Sequence, residues 1–222
     1  MSNPLRTGPA ASPPPPPLSS PPSTPSSSDS PTAPPTGSVT AGPVGAGSVD
    51  EPVLLTASRF RVVRVEQVMA SGQRRSREVV RHPGAVVLLP LVDDDRVCLI
   101  RNYRVSIGQT LIELPAGTLE PGEPPIVTAG RELLEETGFI AQQLDLLHTY
   151  YPSPGIMDEL MYLFVARRLT YTAPQRELGE EIDNLVVSWD EALALIDRGE
   201  IHDAKTIAGL LLYDRWRRRH LG

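Results

Sequence analysis

The chain has 222 residues, 40% of them hydrophobic, a net charge of −6 and a single cysteine, Cys98. That length and apolar content suit one sizeable domain, or one domain with a small appendage. Net negative charge argues against nucleic acid as a bulk partner, because phosphate backbones are held by basic surface.

Residues 1–50 read as a separate segment. Fifteen of the 24 prolines lie at or before Pro52, five of them in the run Pro13–Pro17, amid Ser, Thr, Gly and Ala. Such a segment has too little apolar surface to offset its ordering entropy, so a disordered tail with polyproline II character is expected. Pro13–Pro17 suits either a passive spacer or a ligand for an aromatic groove. Arg6 is followed by proline and serine instead of an apolar segment, so no signal peptide is expected. The longest apolar run, Gly84–Val92, is far short of the ~20 residues needed to cross a bilayer. With one cysteine and neither of these signals, a cytoplasmic protein without membrane contact is expected.

From Val53 the texture changes. The valine-rich stretch 60–68, the turn Ser71-Gly72-Gln73 and the extended Glu78-Val79-Val80 predict an N-terminal hairpin over 51–82. A continuous apolar run, 85–92, predicts a buried strand, and 96–103 the next one. Asp93-Asp94-Asp95 between them reads as a polar loop, or as a metal site. Further strands are predicted at 145–151 and 160–167, flanking Pro152-Ser153-Pro154-Gly155, and at 185–187. Ser188-Trp189-Asp190-Glu191 has capping-box spacing and predicts a helix ending near Gly199. A last helix is predicted over 204–219, its Arg217-Arg218-Arg219 terminus being either an anion site or favourable charge at a helix C-terminus. Strands alternating irregularly with helices predict an α/β (α+β) fold with a mixed sheet between helices.

The chemistry concentrates in 117–139. Pro124 and Pro125 suit the first turn of a helix, and Gly138 suits its C-terminal cap. At helical spacing Glu132, Glu135 and Glu136 share one arc, while Ile126, Ala129, Gly130, Leu133 and Thr137 share another that should pack on a sheet. Three carboxylates on one face repel each other, and only Arg131 is near to compensate. The face is either solvated or a set of hard oxygen ligands for Mg²⁺, with Mn²⁺ as a substitute.

The whole pattern is Gly117-x5-Glu123-x7-Arg131-Glu132-Leu133-x-Glu135-Glu136-x-Gly138-Phe139. It resembles the signature of the Nudix hydrolases at every fixed position, with Phe139 where an aliphatic residue is usual. Seven fixed residue types at about 5–10% usage each give a chance match on the order of 10⁻⁸ per window, which rules out coincidence. Asn102-Tyr103-Arg104, Glu113-Leu114-Pro115-Ala116-Gly117 and Ser153-Pro154-Gly155 with Asp158-Glu159 resemble the ADP-ribose pyrophosphatase branch. Pro154 stands sixteen residues beyond Gly138, a spacing that marks that branch.

The resemblance implies a Nudix fold over 83–222, with an N-terminal antiparallel hairpin or sheet over 51–82 that pairs two copies into a homodimer. It implies that Glu132, Glu136, Glu135 and the Ala116 carbonyl ligate metal, and that Arg131 orients the carboxylates. Gly117 lets the loop fold tightly against the metal. Arg104 and Glu113, with Pro154 and Gly155, would face the substrate. The catalytic base would come from Glu135 or Glu136, or from Glu180 or Glu181 in a loop that could equally be only solvated acid. The implied reaction is Mg²⁺-dependent hydrolysis of ADP-ribose, a small nucleoside-diphosphate compound, to AMP and ribose 5-phosphate. The alternatives are another nucleoside-diphosphate sugar such as GDP-mannose or ADP-glucose, a nucleoside triphosphate, or a sensor that binds without cleaving. Retention of all three box glutamates weighs against the sensor.

Overall fold

The computed structural model describes residues 51–176 and 181–220. The proline-rich stretch and Glu180 lie outside the described residues. Three strands come first: β1 (Val53–Thr56), β2 (Arg61–Val68) and β3 (Arg74–Arg81), antiparallel in the order β1-β2-β3. The expected hairpin is β2–β3, turned at Gly72 with φ +80°. Strand β1 was not predicted. Val63 is the buried hydrophobe of this sheet, and Val53, Leu54, Leu55 and Val68 are exposed.

The remainder carries two further sheets. In the mixed one, β4 (Ala85–Pro90) lies parallel to β9 (Met161–Tyr171) and antiparallel to β7 (Ala116–Thr118), and β8 (Phe139–Tyr150) closes the far edge. In the other, β5 (Arg96–Arg104) lies between β6 (Gln109–Glu113) and β10 (Ile182–Ser188). The strand cores expected at 85–92, 96–103, 145–151, 160–167 and 185–187 are all present. Strands β8 and β9 run several residues further than expected, because they pair with each other from Phe139↔Tyr171 to Tyr150↔Met161.

Strand β4 explains why its sequence is unbrokenly apolar: all six residues are buried, and successive side chains enter opposite cores. Ala85, Val87 and Leu89 pack with Leu99, Leu163, Trp189, Leu195 and Leu210. Val86 and Leu88 pack with Cys98, Ala129, Leu133 and Phe139. The first core is covered by α2 (Trp189–Asp197) and α3 (Ala204–His220), the second by α1 (Pro125–Glu132). Ser188 caps α2, its hydroxyl accepting from the Glu191 N–H at 3.2 Å. The Asp93–Asp95 segment is a loop, in which Asp93 pairs with Arg96.

Two details depart from expectation. The box helix is not α-helical throughout: Leu133–Thr137 is a π-helical turn. The carbonyls of its last turn, which have no partner within the helix, find partners outside it. Gln175 N–H donates to Glu135 O, Arg176 Nε to Glu136 O, and Asn184 Nδ2 to Thr137 O at 2.8 Å. Ile126 also does not pack on the sheet. It is 50% exposed, because the buried stripe begins only at Thr128 and continues through Ala129 and Leu133.

Candidate active site

A cleft of about 450 Å³ opens between the box and β5. It is lined by Glu132, Glu135, Glu136 and Glu181, by Ala116 and Gly117, and by Arg59, Asn102, Tyr103, Arg104 and Val105. Small-ligand sites are typically concavities of this size. One wall is acidic and comes from the end of α1 and the π-turn. The opposing basic groups are Arg104, at the end of β5, and Arg59, in the β1–β2 turn.

The acidic wall is held in detail. Arg131 Nη1 donates to both Glu132 and Glu135 at 2.8 Å, and its Nη2 reaches Glu123 at 3.3 Å. Burial opposes the charge on Arg131, but these carboxylates outweigh it and raise the guanidinium pKa. The fixed glutamate at 123 is thereby explained as a second anchor for Arg131, and it also accepts from Thr128 Oγ1 at 2.8 Å. Glu136 is 5% exposed and accepts the Ala116 N–H at 2.9 Å, which ties the π-turn to β7. Gly117 is needed for a steric reason: a Cβ there would overlap the Glu132 carboxylate. At the end of the π-turn Gly138 has φ +75°, and a Cβ there would meet the Thr172 carbonyl oxygen at 2.7 Å.

On the other wall Arg104 grips Glu113, its Nε donating at 2.8 Å and its Nη2 to the second oxygen. Glu113 is 1% exposed and also receives Lys205 Nζ at 2.6 Å. Burial alone would push the Glu113 carboxyl up, but Arg104 and Lys205 prevail and hold it below the usual carboxylate range.

The residues expected from the sequence divide accordingly. Ala116, Glu132, Glu135, Glu136, Arg104 and Glu181 meet at the cleft, and Arg131 stands directly behind it. Glu113 lies beneath Arg104 and is not part of the lining. Pro154 and Gly155 are not among the lining residues; their loop is tied to β3, with Val80 N–H donating to Ile156 O at 2.9 Å. Arg59 escaped the sequence reading. An arginine in a turn carries no signal until the β1–β2 turn is seen to reach the cleft.

The donors suit a hard divalent cation: Glu132, Glu135, Glu136 and Glu181 line one cleft together with Ala116, and Gly117 leaves room for Glu132. Among the described residues no three of these side chains form a ready-made cage. In the structure Arg131 holds Glu132 and Glu135, and the Ala116 N–H holds Glu136.

Residues 80–210 match the family model described as the NUDIX domain. The chain belongs to the Nudix family. It is a Nudix pyrophosphohydrolase of the ADP-ribose pyrophosphatase-like branch, and Nudix hydrolases generally use a divalent metal. It is 40% identical over 145 residues to an ADP-ribose pyrophosphatase of Bacillus subtilis (strain 168), covering 64% of this chain and 78% of that protein. It is 36% identical over 154 residues to a GDP-mannose pyrophosphatase of Enterobacter sp. (strain 638), covering 60% and 78%. A solved structure described as an ADP compounds hydrolase superposes with a TM-score of 0.69 at 26% identity, covering 77% of this chain and 93% of the other.

Proposed function

We propose that this protein hydrolyses the diphosphate bond of ADP-ribose to AMP and ribose 5-phosphate, with Mg²⁺ as cofactor. The observation that carries the reading is the cleft itself, which sets an acidic wall for a cation against arginines for an anion. The names of similar proteins support the substrate class, and one of them, the GDP-mannose pyrophosphatase, favours a second reading in which GDP-mannose is preferred.

In this mechanism Glu132, Glu135, Glu136 and the Ala116 carbonyl would hold the cation, and the chemistry supplied there would be neutralisation of diphosphate charge and a more acidic water. Arg131 keeps Glu132 and Glu135 from splaying apart, and the Ala116 N–H fixes one oxygen of Glu136. Arg104 and Arg59 orient the diphosphate, guanidinium being suited to phosphate oxygens. Glu181, a lining residue just before β10, accepts the proton of the attacking water. The water oxygen bonds to phosphorus, the bridging P–O bond breaks, and the leaving phosphate departs as its own oxyanion.

The sheet β1–β2–β3 serves as a dimerisation element over 51–82, with the catalytic domain over 83–222. Its exposed Val53, Leu54, Leu55, Phe60 and Val68 supply an apolar surface that a second copy would cover. Sedimentation velocity on the protein and on Leu55→Arg tests this, a dimer that dissociates in the variant being expected.

The reaction is tested by incubating the protein with ADP-ribose and Mg²⁺, with and without chelator, and identifying the products by chromatography. Chelator-sensitive AMP and ribose 5-phosphate are expected. Faster turnover of GDP-mannose than of ADP-ribose would replace the first reading with the second.

A further inference from the structure

Lys205 is the only lysine in the chain, and arginine supplies every other basic side chain. It lies near the N-terminus of α3, outside the cleft lining and outside the family signature. Its side chain is 11% exposed, and its Nζ contacts Glu113 at 2.6 Å and Asp203 at 2.9 Å. Asp203 is the N-cap of α3, accepting the Thr206 N–H at 3.0 Å.

We propose that Lys205 is a positioning residue for substrate: it shares the Glu113 carboxylate with Arg104, so that Arg104 stays oriented and its charge at the cleft wall is not fully offset by the acids around it. This rests on the reading of the cleft as a diphosphate site.

The argument is one of charge and geometry. A buried carboxylate paired with one arginine forms a neutral unit, with little attraction for an anionic substrate. Glu113 is instead held by two cations, and only one of them, Arg104, faces the cleft. Glu136 across the cleft and Asp203 behind Lys205 also act on Arg104 through space. Both are negative, so the Arg104 guanidinium already stands in an acidic surround, and the Lys205 charge offsets part of it. The Nε and Nη2 donors of Arg104 are committed to Glu113, which fixes the plane of the guanidinium and leaves the Nη1 side for a ligand.

The same turn of α3 grips the next residue as well. Thr206 is fully buried, and its Oγ1 accepts the Leu114 N–H at 2.7 Å. One turn on, a Cβ on Gly209 would meet the Leu114 side chain at 2.6 Å, so the helix lies tightly on this segment. Lys205, Thr206 and Gly209 together clamp Glu113 and Leu114. Glu113 therefore cannot drift with Arg104, and a two-residue link carries that rigidity on to Ala116 and the acidic wall.

The test uses Lys205→Met, Lys205→Arg, Arg104→Gln and the Arg104→Gln/Lys205→Met double variant of the full chain. Each is assayed for kcat and KM on ADP-ribose with Mg²⁺, for metal-free affinity for ADP-ribose by calorimetry, and for Tm. Removing one unit charge beside the anion site should raise KM, and weaken metal-free binding, by about tenfold. The expected change in kcat is under about threefold. Lys205→Arg should restore most of the loss, and the double variant should bind no more weakly than Arg104→Gln alone. A KM and affinity that stay at wild-type values while Tm falls would make Lys205 a purely structural tie. Multiplying effects in the double variant would show that Lys205 does not act through Arg104. If Lys205→Met does not fold, Lys205→Gln, which keeps a hydrogen-bond donor but no charge, is read by the same criteria. ADP-ribose that is bound but not hydrolysed would remove the proposed reaction and leave this inference to the affinities. ADP-ribose neither bound nor hydrolysed would overturn both.

Discussion

The two walls of the cleft solve opposite electrostatic problems with the same pair of side-chain types. On the box side three carboxylates, Glu123, Glu132 and Glu135, share one guanidinium, Arg131. On the far side two carboxylates, Glu113 and Asp203, meet two cations, Arg104 and Lys205, and both cations hold Glu113. The first arrangement gathers acids on one wall and suits a cation. The second fully satisfies a buried acid while keeping a guanidinium at the surface, and suits an anion. The difference teaches that the balance of acids and bases along a wall, more than the presence of an ion pair, tells what it can bind.

The largest expected effect is on the acidic wall. Glu136→Gln keeps the side-chain shape and its acceptor for the Ala116 N–H but removes a charge. Turnover of ADP-ribose should fall by at least about 10²–10³-fold, with the fold retained by circular dichroism. Near-normal turnover would break the assignment of that wall to metal. Gly117→Ala should come next, lowering kcat by about 10²-fold through displacement of the Glu132 carboxylate, a ligand-positioning error. Activity equal to wild type would mean that Glu132 has freedom to move without consequence.

Stability should then separate the walls. Glu113→Gln leaves two cations around a neutral buried amide and should cost about 2–4 kcal/mol in chemical denaturation. Glu135→Gln relieves crowding among like charges and should change stability by no more than about 0.5 kcal/mol. Equal losses in the two variants would erase the contrast.

The smallest effect is a pH dependence. Glu113 has its carboxyl pKa lowered from an ordinary value of 4.5, so the unfolded state binds its proton more tightly than the folded state. Its contribution to stability is complete above about that ordinary pH and is lost as pH falls through the lowered folded value. Acid unfolding of the wild type below about pH 4.5 should therefore be steeper than that of Glu113→Gln. Parallel acid limbs would deny Glu113 that role.

Much of this protein was legible in its sequence, for reasons that are local. A signature with seven fixed positions names its own helix, cap and carboxylates, because those residues act on one another within a few turns of chain. The unbroken apolar run of β4 could be read as a buried strand, since both of its faces meet a core. The Ser188 cap needed only its neighbours.

Tertiary structure decided the rest. Gln175, Arg176 and Asn184, about forty residues on, take the carbonyls at the end of the π-turn. Pro154 and Gly155 lie in a loop that bonds to β3 and are not among the cleft's lining residues, and Ile126 is half exposed. Arg59 and Lys205 carry no local pattern at all. They matter only because a turn and a helix N-terminus, 146 positions apart in the sequence, fold to the two sides of Arg104's surroundings. Short-range chemistry leaves its spacing in the chain. Charge balance between distant segments does not, because any arginine or lysine can supply it and only packing selects which one does.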